Sequence, residues 1–175
     1  MAEILQEKWM KGVAVTTTVL AVMTAIAASR GAAVGAKIQL LTAVEGSKWG
    51  YYQAKSIKQH LMESQKDNFK GAALGATLPE QKSFYESKLS GLEEEIARYD
   101  KEKAQIKQEA EETGKEDAVF GRRANQFSLS VVFFQVAIML SSVSALLKRK
   151  EMWIVGILLG VVAATFLANG LVLFF

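Results

Sequence analysis

Residues 124–147 read ANQFSLSVVFFQVAIMLSSVSALL, and residues 152–175 read MWIVGILLGVVAATFLANGLVLFF. Neither stretch of 24 residues contains Asp, Glu, Lys or Arg. A helix needs roughly 20 predominantly apolar residues to cross the hydrocarbon core of a bilayer. Each stretch therefore predicts a transmembrane helix, and the four charged residues between them, 148–151, predict a short loop.

A third uncharged stretch lies near the N-terminus, from Gly12 to Ser29. Its 18 residues would span about 27 Å as a helix, which is just long enough for a bilayer core. A signal peptide is the alternative, because small residues end the stretch. The leader before it carries Glu3 and Glu7 as well as lysines, so we interpret the stretch as a retained anchor.

Composition excludes several kinds of chemistry. Half of the 175 residues are hydrophobic, the net charge is +3, and there is no cysteine to form disulfides, thiolate metal sites or a nucleophile. The charge is too small to indicate a nucleic-acid partner. The single histidine, His60, has no further His or Cys ligands at useful spacing. We find no nucleophile, base and orienting group in a recognisable arrangement, and we expect no enzyme, metal or cofactor.

The middle of the chain, residues 31–123, is charged and has helical periodicity. Thr77 and Glu80 have the spacing of a capping box, with Pro79 in the first helical turn, so a new helix is predicted to begin there. We expect that helix to end near Thr113, where Gly114 could terminate it. The middle would then consist of two helical arms.

Both arms show side chains spaced alternately by four and three residues, as in a coiled coil. The second arm has bulky residues in this stripe: Tyr85, Leu89, Leu92, Ile96, Tyr99, Lys103, Ile106 and Ala110. The first arm shows the same spacing with smaller residues, which would receive the bulky stripe: Ala33, Ala36, Leu40, Ala43, Ser47, Gly50, Ala54, Ile57 and Leu61.

Charge supports pairing of the two arms. Residues 31–70 carry six Lys and three acids, whereas residues 79–117 carry seven Lys or Arg and twelve acids.

We therefore predict an all-α membrane protein with three transmembrane helices and an extramembrane, antiparallel, coiled-coil-like hairpin between the first and second. The predicted domains are 1–30, with the tail and first transmembrane helix, 31–123, the hairpin, and 124–175, the transmembrane helix pair. The first span and the Trp49 to Lys58 block would share one long helix.

The orientation follows from the basic loop 148–151, since short basic loops stay cytoplasmic. This places the N-terminus in the cytoplasm and the hairpin on the periplasmic side. Arg30, Lys37, Arg122 and Arg123 flank the membrane on the hairpin side and weaken the bias.

Small residues recur every four positions in two spans, a pattern that lets helix backbones approach closely. These small residues would serve either packing within one chain or contact between copies of the chain. The positions are Thr17, Ala21, Ala25 and Ser29 in the first span, and Gly156, Gly160, Ala164 and Ala168 in the third.

Polar side chains share one face of the second span at Ser128, Gln135 and Ser142, seven residues apart. An unpaired amide near the centre of a bilayer is costly, so this face must meet protein or water. Hydrogen bonding between helices is one interpretation, and the lining of a polar path is the other. No span contains an ionisable residue, which argues against a proton relay.

Aromatic and basic residues cluster in the sequence WGYYQAKSIKQHL, which starts at Trp49. Such a patch suits packing inside the hairpin, a headgroup-facing position or a protein interface. Its candidate interaction residues are Trp49, Tyr51, Tyr52, Gln53, Lys55 and Lys58.

This block, together with the order of the hydrophobic and charged segments, resembles an uncharacterised family of small bacterial membrane proteins, catalogued only as a domain of unknown function. The resemblance implies a location in the bacterial inner membrane and supplies no activity. We expect a structural or interaction protein, scaffold or accessory, that forms homo-oligomers, contacts membrane lipid and belongs to a larger membrane complex. The alternative is an oligomeric channel or transporter subunit.

Overall fold

The computed structural model describes residues 2–172, and the side chains of residues 9–172. The described residues form three helices and no strand: α1, Ala2–Gly75, α2, Pro79–Leu147, and α3, Lys150–Val172. All three are long and apolar enough to cross a membrane. The all-helical prediction is therefore confirmed, while the side chains of the charged leader and the last three residues of the third predicted span lie outside the described part.

The turn between α1 and α2 lies where the capping pattern placed it. Helix α2 starts at Pro79, and its first turn is closed by a hydrogen bond of 3.2 Å from the Lys82 N–H to the Leu78 carbonyl. The prediction of one helix joining the first apolar stretch to the Trp49 block is also confirmed, because α1 runs without interruption from Ala2 to Gly75.

The predicted helix end at Gly114 is wrong, because α2 continues through it to Leu147. Termination by glycine requires a left-handed backbone conformation. No described glycine has a positive φ angle, so Gly114 stays helical. A Cβ atom at Gly114 would lie 3.1 Å from a carboxylate oxygen of Glu45, so this glycine leaves room for the opposite arm instead of ending its own helix.

Helix α2 ends in a Schellman motif. Lys148 has a left-handed backbone with φ of 54°, and the Arg149 N–H donates to the Ser144 carbonyl at 3.1 Å. This is the six-to-one hydrogen bond of that motif, formed here with lysine at the position that glycine usually takes. The loop between α2 and α3 is consequently very short, which makes the two helices antiparallel neighbours.

The chain divides into two compact units. The three-helix unit contains Met1–Leu40 and Asp117–Phe175, and the hairpin unit contains Leu41–Glu116.

In the three-helix unit, seven-residue spacing selects the buried face of each long helix. Val13, Leu20 and Ala27 are buried on α1. Helix α2 buries two such rows, one made of Phe127, Phe134 and Ser141 and the other of Ser130, Ala137 and Ser144. This spacing is that of left-handed helix packing.

Helix α3 packs closely through small residues. The buried Ser130 hydroxyl donates to the Ala163 carbonyl at 2.9 Å. A Cβ atom built on Gly156 would lie 2.8 Å from the Ser141 hydroxyl oxygen and 3.0 Å from the Ala137 carbonyl oxygen. Glycine is required at position 156 because the opposing backbone of α2 cannot move away as a side chain could.

Aromatic side chains gather at the end of the unit that holds the α2–α3 loop. The Trp9 and Trp153 rings lie 6.3 Å apart, and the Lys150 ammonium group sits 5.9 Å from the Trp9 ring centre. The Trp153 indole N–H donates to the Thr16 hydroxyl at 2.9 Å, which ties α3 to α1.

We predict that Gly156→Ala destabilises the three-helix unit by about 1–3 kcal/mol, because the added methyl group must push α2 and α3 apart. Thermal unfolding of the purified protein in mild detergent, followed by near-ultraviolet circular dichroism, measures the effect. The matched control is Gly121→Ala, whose Cβ atom meets nothing within 4 Å. The control should be neutral or stabilising by up to about 1 kcal/mol, since alanine is the better helix former. Equal melting temperatures for the two variants would contradict the close packing.

Candidate interaction surfaces

The predicted stripe forms the inward face of the second arm of the hairpin unit. Tyr99, Ile106 and Ala110 are buried, and the other members of the stripe are half-buried: Tyr85, Leu89, Leu92, Ile96 and Lys103. The bulky a and d positions therefore identify the packed face of this arm correctly.

The predicted stripe of the first arm is wrong. All nine of its residues, from Ala33 to Leu61, are exposed. The inward face of this arm in the hairpin unit lies one to two residues further along the chain: Leu41, Glu45, Lys48, Tyr52, Lys55, Gln59, Met62, Lys66 and Phe69. The prediction looked for small apolar residues, whereas the arm turns its longer polar side chains toward the acids of the second arm.

A buried glutamine forms a polar layer across the hairpin. Gln59 is only 5% exposed, and its amide nitrogen donates to Asp100 at 2.8 Å and to Glu63 at 3.1 Å. The Lys103 ammonium group donates to the amide oxygen of Gln59 at 2.8 Å. Lys103 is the residue that interrupts the apolar stripe, and Gln59 explains its presence. A buried polar layer of this kind fixes the register of two helices, because a shifted pairing would leave its members without partners.

One turn away, Lys55 forms an ion pair and hydrogen bond with Glu102. Its ammonium group also lies 4.9 Å from the Tyr99 ring centre and 5.3 Å from that of Tyr51. The hydrogen bond to Glu102 raises the pKa of Lys55, and the same bond lowers the pKa of Glu102. Lys66 lowers the pKa of Glu93 in the same way, through a contact of 2.7 Å.

Lys48 closes the other end of the seam. Its ammonium group donates to the Thr113 hydroxyl at 3.0 Å and to the Glu109 carbonyl at 3.1 Å. The neighbouring Trp49 indole N–H donates to Glu45 at 3.2 Å, and its ring meets the Tyr52 ring edge-on at 5.7 Å. Cations of the first arm thus contact the second arm along most of its length.

The structure divides the candidate interaction block into two faces. Trp49, Tyr52 and Lys55 are half-buried, and Tyr52 and Lys55 contact the second arm, whereas Tyr51, Gln53 and Lys58 are exposed. His60 is exposed as well, and one ring nitrogen lies 2.9 Å from Glu63.

The two small-residue ladders are placed differently. On α3, Gly156 and Gly160 are buried, Ala164 is half-buried and Ala168 is exposed. On α1, Thr17 is half-buried and donates to the Val13 carbonyl at 2.8 Å, while Ala21, Ala25 and Ser29 are exposed. Most of the α1 ladder therefore lies on the outer surface of the three-helix unit, away from Val13, Leu20 and Ala27.

The polar face of α2 is also on the outside. Ser128, Gln135 and Ser142 are all exposed, and the Ser142 hydroxyl donates to its own helix at the Ile138 carbonyl. Sequence reasoning missed the buried polar residues of this unit: Ser130, Ser141, Ser144 and Asn169. The sequence carried a signal for part of this set, since Ser130, Ala137 and Ser144 are small residues that also recur every seven positions.

These observations define the class of protein. It is an all-helical chain with three helices apolar enough to cross a membrane, and ion pairs cross the seam of its hairpin. Residues 9–173 match the family described as domain of unknown function, DUF4337, and the chain belongs to that family. No curated protein and no solved structure matches the chain.

We predict that acid loosens the hairpin through Glu102. Because its pKa is lowered in the folded protein, the carboxylate stabilises the hairpin above the ordinary value of 4.5, and this contribution is lost as the pH falls through the lowered pKa. The raised pKa of Lys55 means that its contribution is present below 10.5 and is lost only at still higher pH.

Amide hydrogen exchange of the full-length protein, corrected for the intrinsic pH dependence of exchange, measures this effect across residues 52–59 and 99–106. Protection should fall modestly between about pH 5 and pH 3, since the pair is partly solvated. In Glu102→Gln this loss should shrink, and protection at neutral pH should already be lower. Glu86→Gln, an exposed acid of the same arm, should behave as the parent protein does. An unchanged acid profile in Glu102→Gln would refute the assignment.

Proposed function

We propose that this chain is an integral protein of the bacterial inner membrane and crosses it three times, with residues 31–123 outside the bilayer. Both ends of the apolar segments carry the residues expected at a bilayer surface. Trp9 and Trp153, beside Lys150, suit one interface, and Arg30 and Arg123 suit the other. The short basic loop at 148–151 supports a cytoplasmic N-terminus and a periplasmic hairpin.

We further propose that it is a structural or interaction protein that forms homo-oligomers and presents its hairpin to other copies or to a larger membrane complex. The observation that carries this proposal is the exposure of Gln135. This amide lies at the middle of a 24-residue uncharged stretch, on the outer surface of the three-helix unit. If this amide faced lipid, it would have no hydrogen-bond partner. Moving such an amide from water into hydrocarbon without a partner costs on the order of 4–8 kcal/mol. A neighbouring protein chain removes that cost.

The exposed ladder of α1 supports the same conclusion. Ala21, Ala25 and Ser29 are exposed small residues that would let the backbone of another helix approach closely. Within a bilayer, helices associate through such close contacts because lipid tails are as apolar as the helices.

The hairpin offers a second outward stripe. The residues that the sequence assigned to the inner seam keep their coiled-coil spacing on the outside, and some are large: Ile57 is 69% exposed and Leu61 is 60% exposed. Apolar side chains at a and d spacing on an outer face are suited to another helix. Tyr51, which is 55% exposed, lies on the same arm.

The alternative is an oligomeric channel or transporter subunit. Its support is again the α2 face of Ser128, Gln135 and Ser142, which could line a polar path once several copies assemble. The two functions differ in whether this face meets protein or water.

Disulfide crosslinking in native membranes tests the oligomer, because the chain has no cysteine of its own. We expect Ala25→Cys to give a disulfide-linked dimer on mild oxidation. Val19→Cys is the matched control, since it is exposed on the same helix and faces roughly 120° away from Ala25. The control should stay monomeric.

Absence of crosslinks at Ala21, Ala25 and Ser29, together with a monodisperse monomer in mild detergent, would contradict the proposal.

Gln135→Leu separates the two functions. A scaffold should show no ion conductance in planar bilayers, and this variant should only weaken its oligomer by about 1–2 kcal/mol. A pore should conduct, and the same variant should change its conductance. Val132→Leu, also exposed on α2, is the control that keeps the polar face intact.

A further inference from the structure

A basic cavity of about 280 Å³ lies within the three-helix unit. It is lined by residues of all three helices, among them Arg30 and Lys37 of α1, Phe120 and Arg123 of α2, and Leu171 of α3. Arg30 is the first charged residue after the uncharged stretch of α1, and Arg123 is the last before that of α2. The cavity therefore lies where apolar helix surface gives way to charged surface.

Three cations surround this cavity, and the described residues that line it include no carboxylate. The Phe120 ring lies between two of them, 5.8 Å from the Lys37 ammonium group and 5.7 Å from the Arg123 guanidinium carbon. The Nε atom of Arg123 is buried and has no hydrogen-bond acceptor among the described residues. A buried guanidinium N–H without an acceptor is costly, and an anionic ligand in the cavity would supply one.

The rest of the cavity wall is apolar. Val34, Phe127 and Leu171 contribute to it. The Phe127 ring packs so closely on Gly170 that a Cβ atom there would lie 3.0 Å away, and a Cβ atom built on Gly31 would lie 3.4 Å from the Phe127 Cβ atom. This packing of the three helices forms the apolar part of the cavity wall.

We propose that this cavity binds the phosphate of an anionic phospholipid, whose acyl chains lie against the apolar surface below it. The inference rests on the membrane insertion proposed above. Arg123 and Arg30 supply bidentate N–H donors suited to phosphate oxygens, and Lys37 adds a positive charge. A free phosphate would use the same cations but would gain nothing from Val34, Phe127 and Leu171, which is why the lipid is favoured.

The test uses the full chain, purified in mild detergent and analysed by native mass spectrometry with dioleoyl phosphatidylglycerol or dioleoyl phosphatidylcholine added. The parent protein should retain phosphatidylglycerol in preference. Arg30→Gln should reduce that retention about fivefold, and Arg30→Gln with Arg123→Gln about thirtyfold, as expected for loss of one and two phosphate-binding cations. Because Arg30 is exposed, the single variant tests the site even if the double variant does not fold.

The matched control removes two charges from the opposite end, with Lys148→Gln and Arg149→Gln in the α2–α3 loop. Retention of phosphatidylglycerol should change less than about twofold there. Equal losses in both double variants, or equal retention in Arg30→Gln and the parent, would overturn the proposal. Displacement of the lipid by millimolar inorganic phosphate would also overturn it, in favour of a free-anion site.

Carbonate extraction of native membranes distinguishes this failure from failure of the proposed membrane insertion. Release of the chain by carbonate would contradict insertion itself. Retention of the chain, combined with unselective lipid binding, would contradict the lipid site alone.

Discussion

A seven-residue spacing of inward-facing side chains governs both compact units. A helix has about 3.6 residues per turn, so a strict repeat of seven keeps one stripe facing a partner only if the helices wind gently around each other. This stripe appears on α1 in the three-helix unit as Val13, Leu20 and Ala27, on α1 in the hairpin unit as Lys48, Lys55 and Met62, and on α2 as Tyr85, Leu92, Tyr99, Ile106, Thr113, Phe120, Phe127, Phe134 and Ser141.

The same spacing carries different chemistry in the two units. In the three-helix unit the stripe is apolar or small, and Gly156 brings α3 close to the backbone of α2. In the hairpin unit the first arm contributes Lys48, Lys55 and Gln59, which meet acids and hydroxyl groups of the second arm. Each partly solvated ion pair contributes little. The polar contacts of the seam instead select one register, since a slip of one residue would separate Gln59 from both Asp100 and Lys103.

The parts of this fold that the sequence predicts are those with one dominant physical signal. Uncharged stretches of 24 residues and the bulky stripe from Tyr85 to Ala110 identify helices and one packed face. The inward face of the first arm could not be identified in this way, because the apolar residues and the cations of this arm have the same spacing on neighbouring faces. Which face turns inward depends on acids far away in the sequence, such as Glu102, which lies 47 residues after Lys55. The predicted helix end at Gly114 was wrong for a similar reason, because the side chain of Glu45 packs where a side chain at position 114 would lie.

The candidate surfaces follow the same logic. Gly156 and Gly160 are used inside the three-helix unit, whereas Ala21, Ala25, Ser29 and Gln135 lie outside it, although small-residue spacing alone could not separate these groups. The short α2–α3 loop makes these two helices neighbours, and Gly156 lies against Ser141 and Ala137 of α2, whereas Gly160 lies against Leu20 of α1. The consequence of exposing the other residues depends on the proposed bilayer. Water could solvate an exposed amide or a stripe of alanines at little cost, but hydrocarbon cannot solvate Gln135. The exposure of this side chain is therefore the strongest reason to place a second chain against α2.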